Sequence, residues 1–166
     1  MADNIYVVGM MGSGKTAVAK LLGTRLKRVV IDLDERIVAS QGMSINEIFA
    51  SKGEPYFRDV EHAELRKVSF ADKAIVATGG GIVINDENIA VMKDSGVIIY
   101  LQASVDSLLS HIKHDTSRPL LKVADPKAKL AEIFAQRKAQ YEKADVIIET
   151  NHLDPDGIVK KIISRL

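Results

Sequence analysis

The stretch Gly9-Met10-Met11-Gly12-Ser13-Gly14-Lys15-Thr16 restricts this chain more than any other, because it joins the apolar run Ile5 to Val8 to a helical pattern that opens at Lys15. It fits the phosphate-binding pattern G-x-x-x-x-G-K-[ST], in the strand–loop–helix setting that the pattern requires. Glycines let the backbone curl until successive N–H groups point at one anion, and the start of the next helix adds unpaired donors and a favourable dipole. Gly12, Ser13 and Gly14 supply that curl; Lys15 can neutralise β- and γ-phosphate charge, and the Thr16 hydroxyl can ligate Mg²⁺. An ordinary glycine-rich turn would not need all four fixed positions, so nucleotide phosphates are the working expectation.

Short, β-branched and nearly continuous apolar runs recur at Val29 to Leu33, Ala74 to Ala77, Val97 to Leu101 and Val146 to Ile148, with helical patterns between them. Such runs suit strands covered on both faces, and their alternation with helices predicts an open, parallel α/β sheet wound with helices on both sides. Helix punctuation supports the division. Ser44-Ile45-Asn46-Glu47 reads as a capping box, Asp125-Pro126 and Asp154-Pro155 each read as an N-cap followed by Pro, and Gly96 reads as a stop. The 166 residues show no repeat and no composition shift, so a single domain over residues 1–166 is expected. Ligands of such sheets bind at the carboxyl ends of the strands, which puts the residues after each strand at one shared rim.

Recognition at that rim must be local, because 23 Lys plus Arg against 22 Asp plus Glu leave a net charge of only +1. No bulk field draws the chain to nucleic acid or anionic lipid. The absence of cysteine removes disulfides, thiolate metal sites and Cys nucleophiles. No apolar run approaches the length of a bilayer span and no basic-then-apolar leader precedes the first strand, so a cytoplasmic location is expected. A monomer without nucleic-acid or membrane partners completes that expectation.

The second strand ends Ile31-Asp32-Leu33-Asp34, and residues two apart share a face of an extended chain, so both carboxylates are expected on one side of the rim. One could hold Mg²⁺ through its water shell and the other could accept a proton from a substrate hydroxyl. Otherwise Asp34 simply caps a helix beginning near Glu35. Arg58 and Glu61 lie on or beside an apolar stripe of Phe57, Leu65 and Val68, where charges need partners. Either the two satisfy each other at a helix surface, or Glu61 orients the Arg58 fork toward a ligand carboxylate or phosphate. Both readings stay open. After the third strand, Thr78-Gly79-Gly80-Gly81 carries no acid, and its glycines allow another molecule to approach the backbone closely. A further stripe, Leu130, Ile133, Phe134, Arg137 and Tyr141, sets a second arginine among apolar neighbours. Two inward cations suggest a small acidic substrate. The polar, basic stretch from about 111 to 125 reads as a long surface loop, from which Arg118 could reach the transferring phosphoryl group. His111 and His114 have helix-like ligand spacing but no third ligand, so no metal site is expected there.

Jointly, the phosphate loop, Asp32-x-Asp34, Phe57-Arg58-x-x-Glu61, Gly79-Gly80-Gly81, Arg118-Pro119-Leu120-Leu121 and Arg137-x-x-x-Tyr141 resemble the shikimate kinase family over essentially the whole chain. The resemblance implies a three-layer α/β/α P-loop kinase fold of the nucleoside-monophosphate-kinase type. It brings a five-stranded parallel sheet, a mobile lid at about 111–125 and substrate-binding helices at about 34–70. The implied reaction moves the γ-phosphate of ATP, with Mg²⁺, to the 3-hydroxyl of shikimate. By position, the resemblance assigns Asp34 to the shikimate hydroxyls and as base for the attacking one, and Arg58 and Arg137 to the carboxylate. Gly79, Gly80 and Gly81 supply backbone contacts; Phe49, Phe57 and Pro119 form apolar walls, and Glu61 orients Arg58. Arg118 closes over the phosphates, Lys15 serves them from below, and Thr16 and Asp32 serve magnesium, Asp32 replacing the acid missing after the third strand. Adenine is implied to lie near His111 and Asn151-His152, where no residue pattern stands out. The nearest alternative is a gluconate or nucleotide kinase, and a more distant one is a nucleotide-dependent regulatory module without catalysis. The paired arginines argue against the first; the intact Lys15, Asp32, Asp34 and Arg118 argue against the second.

Overall fold

The structure, a computed structural model, describes residues 3–112 and 123–166. Strands β1 (Asn4–Val8), β2 (Val30–Asp32), β3 (Ile75–Ala77), β4 (Gly96–Gln102) and β5 (Val146–Glu149) form one sheet in the order β2-β3-β1-β4-β5. Every pairing is parallel. Around it stand α1 (Lys15–Leu26), α2 (Leu33–Gln41), α3 (Ile45–Lys52), α4 (Glu54–Val68), α5 (Asp86–Ser95), α6 (Val105–Ile112), α7 (Pro126–Tyr141) and α8 (Pro155–Arg165).

The period-two alternation of the strands builds two cores. Ile5 and Val7 of β1, with Ile99 and Leu101 of β4, face Val18 and Leu22 of α1 and Ile158, Val159 and Ile162 of α8. Tyr6, Val8, Ile98 and Tyr100 face the other way, onto apolar residues of α4, α5, α6 and α7. The result is the expected α/β/α sandwich with a parallel sheet. A smaller cluster of Ile37, Ile48 and Phe57 ties α2, α3 and α4 together beside the main body.

Strand order locates the ligand rim. After β1 the chain builds β2 and β3 on one side, then crosses to β4 and β5 on the other, so the loop leaving β1 sits where the order reverses. The expected caps form: Ser44 Oγ accepts from Glu47 N at 3.1 Å, Asp125 Oδ1 from Ala128 N at 3.1 Å and Asp154 Oδ1 from Gly157 N at 2.8 Å. Gly96 does end α5, but it also begins β4, where the Asn4 backbone presses so close that a side chain has no room. The stretch read as a loop from about 111 begins helically, since α6 carries His111 and Ile112. The rest of that proposed lid, with Arg118 and Pro119, falls almost entirely outside the described residues.

Candidate active site

The phosphate loop leaves β1 and turns twice through left-handed backbone, at Gly12 (φ 80°) and Gly14 (φ 84°), before α1 begins at Lys15. Glycine reaches those angles without the clash a Cβ would bring. The Lys15 ammonium arches over the loop, donating to Gly9 O at 2.8 Å and Met10 O at 3.0 Å. Its charge thus stands at the mouth of the cradle.

The two aspartates divide differently from the expectation of one shared strand face. β2 stops at Asp32 and α2 starts at Leu33, so the period of two ends between them. Asp32, not Asp34, caps the helix: its Oδ1 accepts from Glu35 N at 3.2 Å. Its Oδ2 accepts from Thr16 Oγ1 at 3.3 Å, bringing a hydroxyl and a carboxylate together beside the loop. Oxygen donors of this kind suit Mg²⁺, which keeps several waters and needs only one or two protein ligands when phosphates supply others. Among the described residues no cluster of three His, Asp or Glu could hold a metal on its own. Asp34, carried into the first turn of α2, borders the same cavity as Asp32 and reaches a second one as well.

Two cavities open at the rim. One, of about 460 Å³, is lined by Gly12, Ser13, Gly14, Lys15, Thr16 and Asp32. Its far wall is His111, Ile112, Leu153, Pro155 and Ile158. The other, of about 370 Å³, holds Arg58, Glu61 and Arg137, with Phe49 and Phe57 as apolar wall and Gly81 at its edge. Asp34, Gly79 and Gly80 line both. The two cavities therefore adjoin at the Asp34 carboxylate.

In the second cavity, Arg58 Nη1 donates to Glu61 Oε1 at 3.0 Å and Nη2 to Glu54 Oε1 at 3.1 Å, while the guanidinium lies 5.2 Å from the Phe57 ring centre. The pair satisfies itself in part and lines the cavity at once, so the two sequence readings do not exclude each other. Burial pushes the Glu61 carboxyl above the ordinary carboxylate range, against the pull of Arg58. Its Oε2 is buried without a hydrogen-bond partner among the described residues. Phe49 and Phe57 pack at 4.9 Å between ring centres.

Arg137 enters from α7 and is 6% exposed. Tyr141, one turn on, donates its hydroxyl to Gly80 O and stacks on Tyr100 of β4. Burial pushes both phenols up, Tyr100 to about 12. The glycine run proves to be where these charges crowd together. A Cβ on Gly79 would lie 3.0 Å from Glu61 Oε2 and 3.1 Å from Asp34 Oδ1, and one on Gly81 would lie 2.5 Å from the Arg58 Cζ. The close approach expected of these glycines is thus made first by the protein's own side chains.

Several lining residues had no sequence signal. Met11, Val38, Ile45 and Asn46 border the second cavity, although Ile45 and Asn46 were visible only as part of a capping box. Pro155 read merely as a helix start, yet it faces the nucleotide cavity. His111 Nδ1 lies 2.9 Å from Gly12 O and must donate to it, since a carbonyl only accepts. Asn151, by contrast, is spent on structure, its Oδ1 accepting from Ser104 N at 3.1 Å; Leu153 takes the cavity position instead.

Comparison with known proteins agrees with this geometry. A family model described as shikimate kinase matches residues 11–166. The shikimate kinase of Thermodesulfovibrio yellowstonii is 41% identical over 160 residues, which cover 96% of this chain and 92% of the relative. A solved shikimate kinase from Acinetobacter baumannii, in complex with shikimate, matches with a TM-score of 0.96 and 35% identity over 99% of this chain and 93% of that one. A gluconokinase from Sinorhizobium meliloti shares the fold alone, with a TM-score of 0.56 and 16% identity over 98% of this chain and 90% of that one. Likeness to the first two runs over nearly the whole length, and on that ground this chain belongs to the shikimate kinase family.

Proposed function

We propose that the chain transfers the γ-phosphate of ATP to the 3-hydroxyl of shikimate, giving shikimate 3-phosphate and ADP. The observation that carries this reading is the meeting of two cavities at Asp34, Gly79 and Gly80, one built on a phosphate loop and the other on two arginines. A planar guanidinium fork matches a carboxylate, so Arg58 and Arg137 hold the acid end of shikimate, and Glu61 fixes the aim of Arg58. Phe49 and Phe57 cover the ring. Loop amides of Gly12, Ser13 and Gly14 and the Lys15 ammonium hold the β- and γ-phosphates.

The acceptor hydroxyl attacks phosphorus while Asp34 takes its proton, and the β-phosphate oxygen leaves with ADP. Thr16 and Asp32 would hold Mg²⁺, whose charge, when bound, neutralises the phosphate oxygens. The chain itself contributes chiefly position and fixed charge. Arg118 and Pro119 are assigned to the phosphates and the acceptor wall by family resemblance, as is a lid at about 111–125 within a single domain of residues 1–166. Helices within about 34–70 carry most of the acceptor cavity. On the same reading the chain is a monomer without nucleic-acid or membrane partners. A cytoplasmic site of action belongs to the same proposal; among the described residues no helix is long and apolar enough to cross a membrane.

A coupled assay of ADP release tests the reading, with shikimate, gluconate and nucleoside monophosphates as separate acceptors. Shikimate alone should stimulate release strongly. No stimulation by shikimate would refute the assignment.

A further inference from the structure

Two parts of the acceptor cavity reach it from separate layers: Gly80 from the turn after β3, and Arg137 from α7. A single buried hydroxyl joins them. Tyr141, 0% exposed, donates its proton to Gly80 O, and Arg137 stands beside the same glycine, its Nη1 3.4 Å from where a Gly80 Cβ would lie. The Tyr141 ring is held in turn by Tyr100 of β4, with ring centres 4.8 Å apart and planes within 7°. The central sheet therefore sets the height of the hydroxyl, and the hydroxyl sets the Gly80 carbonyl.

We infer that Tyr141 is a positioning residue for the acceptor: its hydroxyl holds the Gly80 backbone at a fixed place beside the Arg137 guanidinium, a spacing suited to a ligand that touches both. This rests on the proposed shikimate-binding role of the cavity. The arrangement needs a neutral phenol that keeps its proton, and burial pushes the Tyr141 hydroxyl in that direction. Docking of α7 on the same turn does not depend on it alone. Gln140 Nε2 donates to Val83 O at 2.8 Å and to Asp86 Oδ1 at 2.8 Å. Loss of the Tyr141 hydroxyl thus leaves the layers together and frees only the local register of Gly80 against Arg137. Gly80 borders both cavities but Arg137 only the acceptor cavity, so the larger effect falls on the acceptor.

The test uses full-length wild type, Tyr141→Phe and Tyr100→Phe, measuring shikimate and ATP affinity by calorimetry, steady-state kinetics and thermal unfolding. Tyr141→Phe keeps the stacked ring and removes only the hydroxyl. It should weaken shikimate binding and raise its KM roughly tenfold, the scale of one buried hydrogen bond, with ATP affinity and kcat changed by no more than about twofold. Tyr100→Phe, which removes a buried hydroxyl without the link to Gly80, should leave shikimate affinity unchanged. Unaltered shikimate affinity in Tyr141→Phe overturns the inference, as do equal losses for ATP or an equal loss in Tyr100→Phe. Wild type that binds ATP but no shikimate overturns the functional reading, and this inference with it.

Discussion

Replacing Gly81 with alanine should strike one ligand while sparing the fold. Gly81 has φ −95° and ψ 6°, a conformation open to alanine, so the backbone itself is not strained. The new methyl would lie 2.5 Å from the Arg58 Cζ. Ordinary contact begins nearer 3.4 Å, so the guanidinium must retreat by about 1 Å. Being the far end of a flexible side chain, it can do so. The retreat pulls it away from the cavity and strains its 3.0 Å bond to Glu61. Misplacement of a positioning group by ~1 Å can cost on the order of a hundredfold, or ~2.7 kcal/mol. Against this, a Gly→Ala change at a compatible site stabilises by ~0.4–1 kcal/mol through the unfolded chain, offsetting part of the local crowding. The expected result is a rise in shikimate KM of roughly a hundredfold, an ATP KM within about twofold of wild type and a melting temperature within a few degrees of it. Steady-state kinetics with each substrate varied in turn, alongside thermal unfolding, reads all three. Shikimate KM within about threefold of wild type would refute the argument that Gly81 exists to admit the Arg58 fork.

Arg137→Ala should weaken shikimate binding by roughly a hundred- to a thousandfold, the range for truncating one side of a buried charge pair, with ATP binding nearly unchanged; equal losses in titrations with each ligand would indicate a structural arginine. Asp32→Asn keeps a good helix cap but gives up the charge beside Thr16. It should leave the melting temperature nearly unchanged while raising the Mg²⁺ concentration needed for half-maximal activity about tenfold, and an unshifted Mg²⁺ titration would contradict the assignment. Glu61→Gln should change the pH dependence of stability. A carboxyl raised by burial contributes in full below its ordinary value of 4.5 and loses that contribution as pH rises through the raised one. Wild type should therefore lose stability relative to Glu61→Gln as pH climbs from 4.5 toward neutrality, and parallel unfolding curves across that range would count against it.

Features governed by neighbours a few residues away were legible in the chain. The phosphate loop, the start of α1 at Lys15, the caps at Ser44, Asp125 and Asp154 and the five strands all obey short-range rules of backbone conformation and hydrophobic period. Asp32 and Asp34 do border one cavity, as expected, but by a different route. A shared strand face needs an extended chain through Leu33, whereas a cap at Asp32 starts α2 there and turns Asp34 through a helical rather than a pleated angle. One hydrogen bond decided which rule applied.

The sequence by itself determined that this chain holds phosphates, forms a parallel α/β sheet and carries two arginines in apolar stripes that demand partners. Only the tertiary structure decided what those pieces surround. Strand order β2-β3-β1-β4-β5 brings the turn after β3 beside the phosphate loop, and helix packing then lays α4 and α7 across it. Arg58, Arg137, Glu61 and Asp34 converge on three glycines through contacts between residues dozens of positions apart. Local propensity carries no record of such meetings, because they follow from which layers share a core. The same holds for His111, Leu153 and Pro155, gathered at the nucleotide cavity from α6, the loop after β5 and the start of α8.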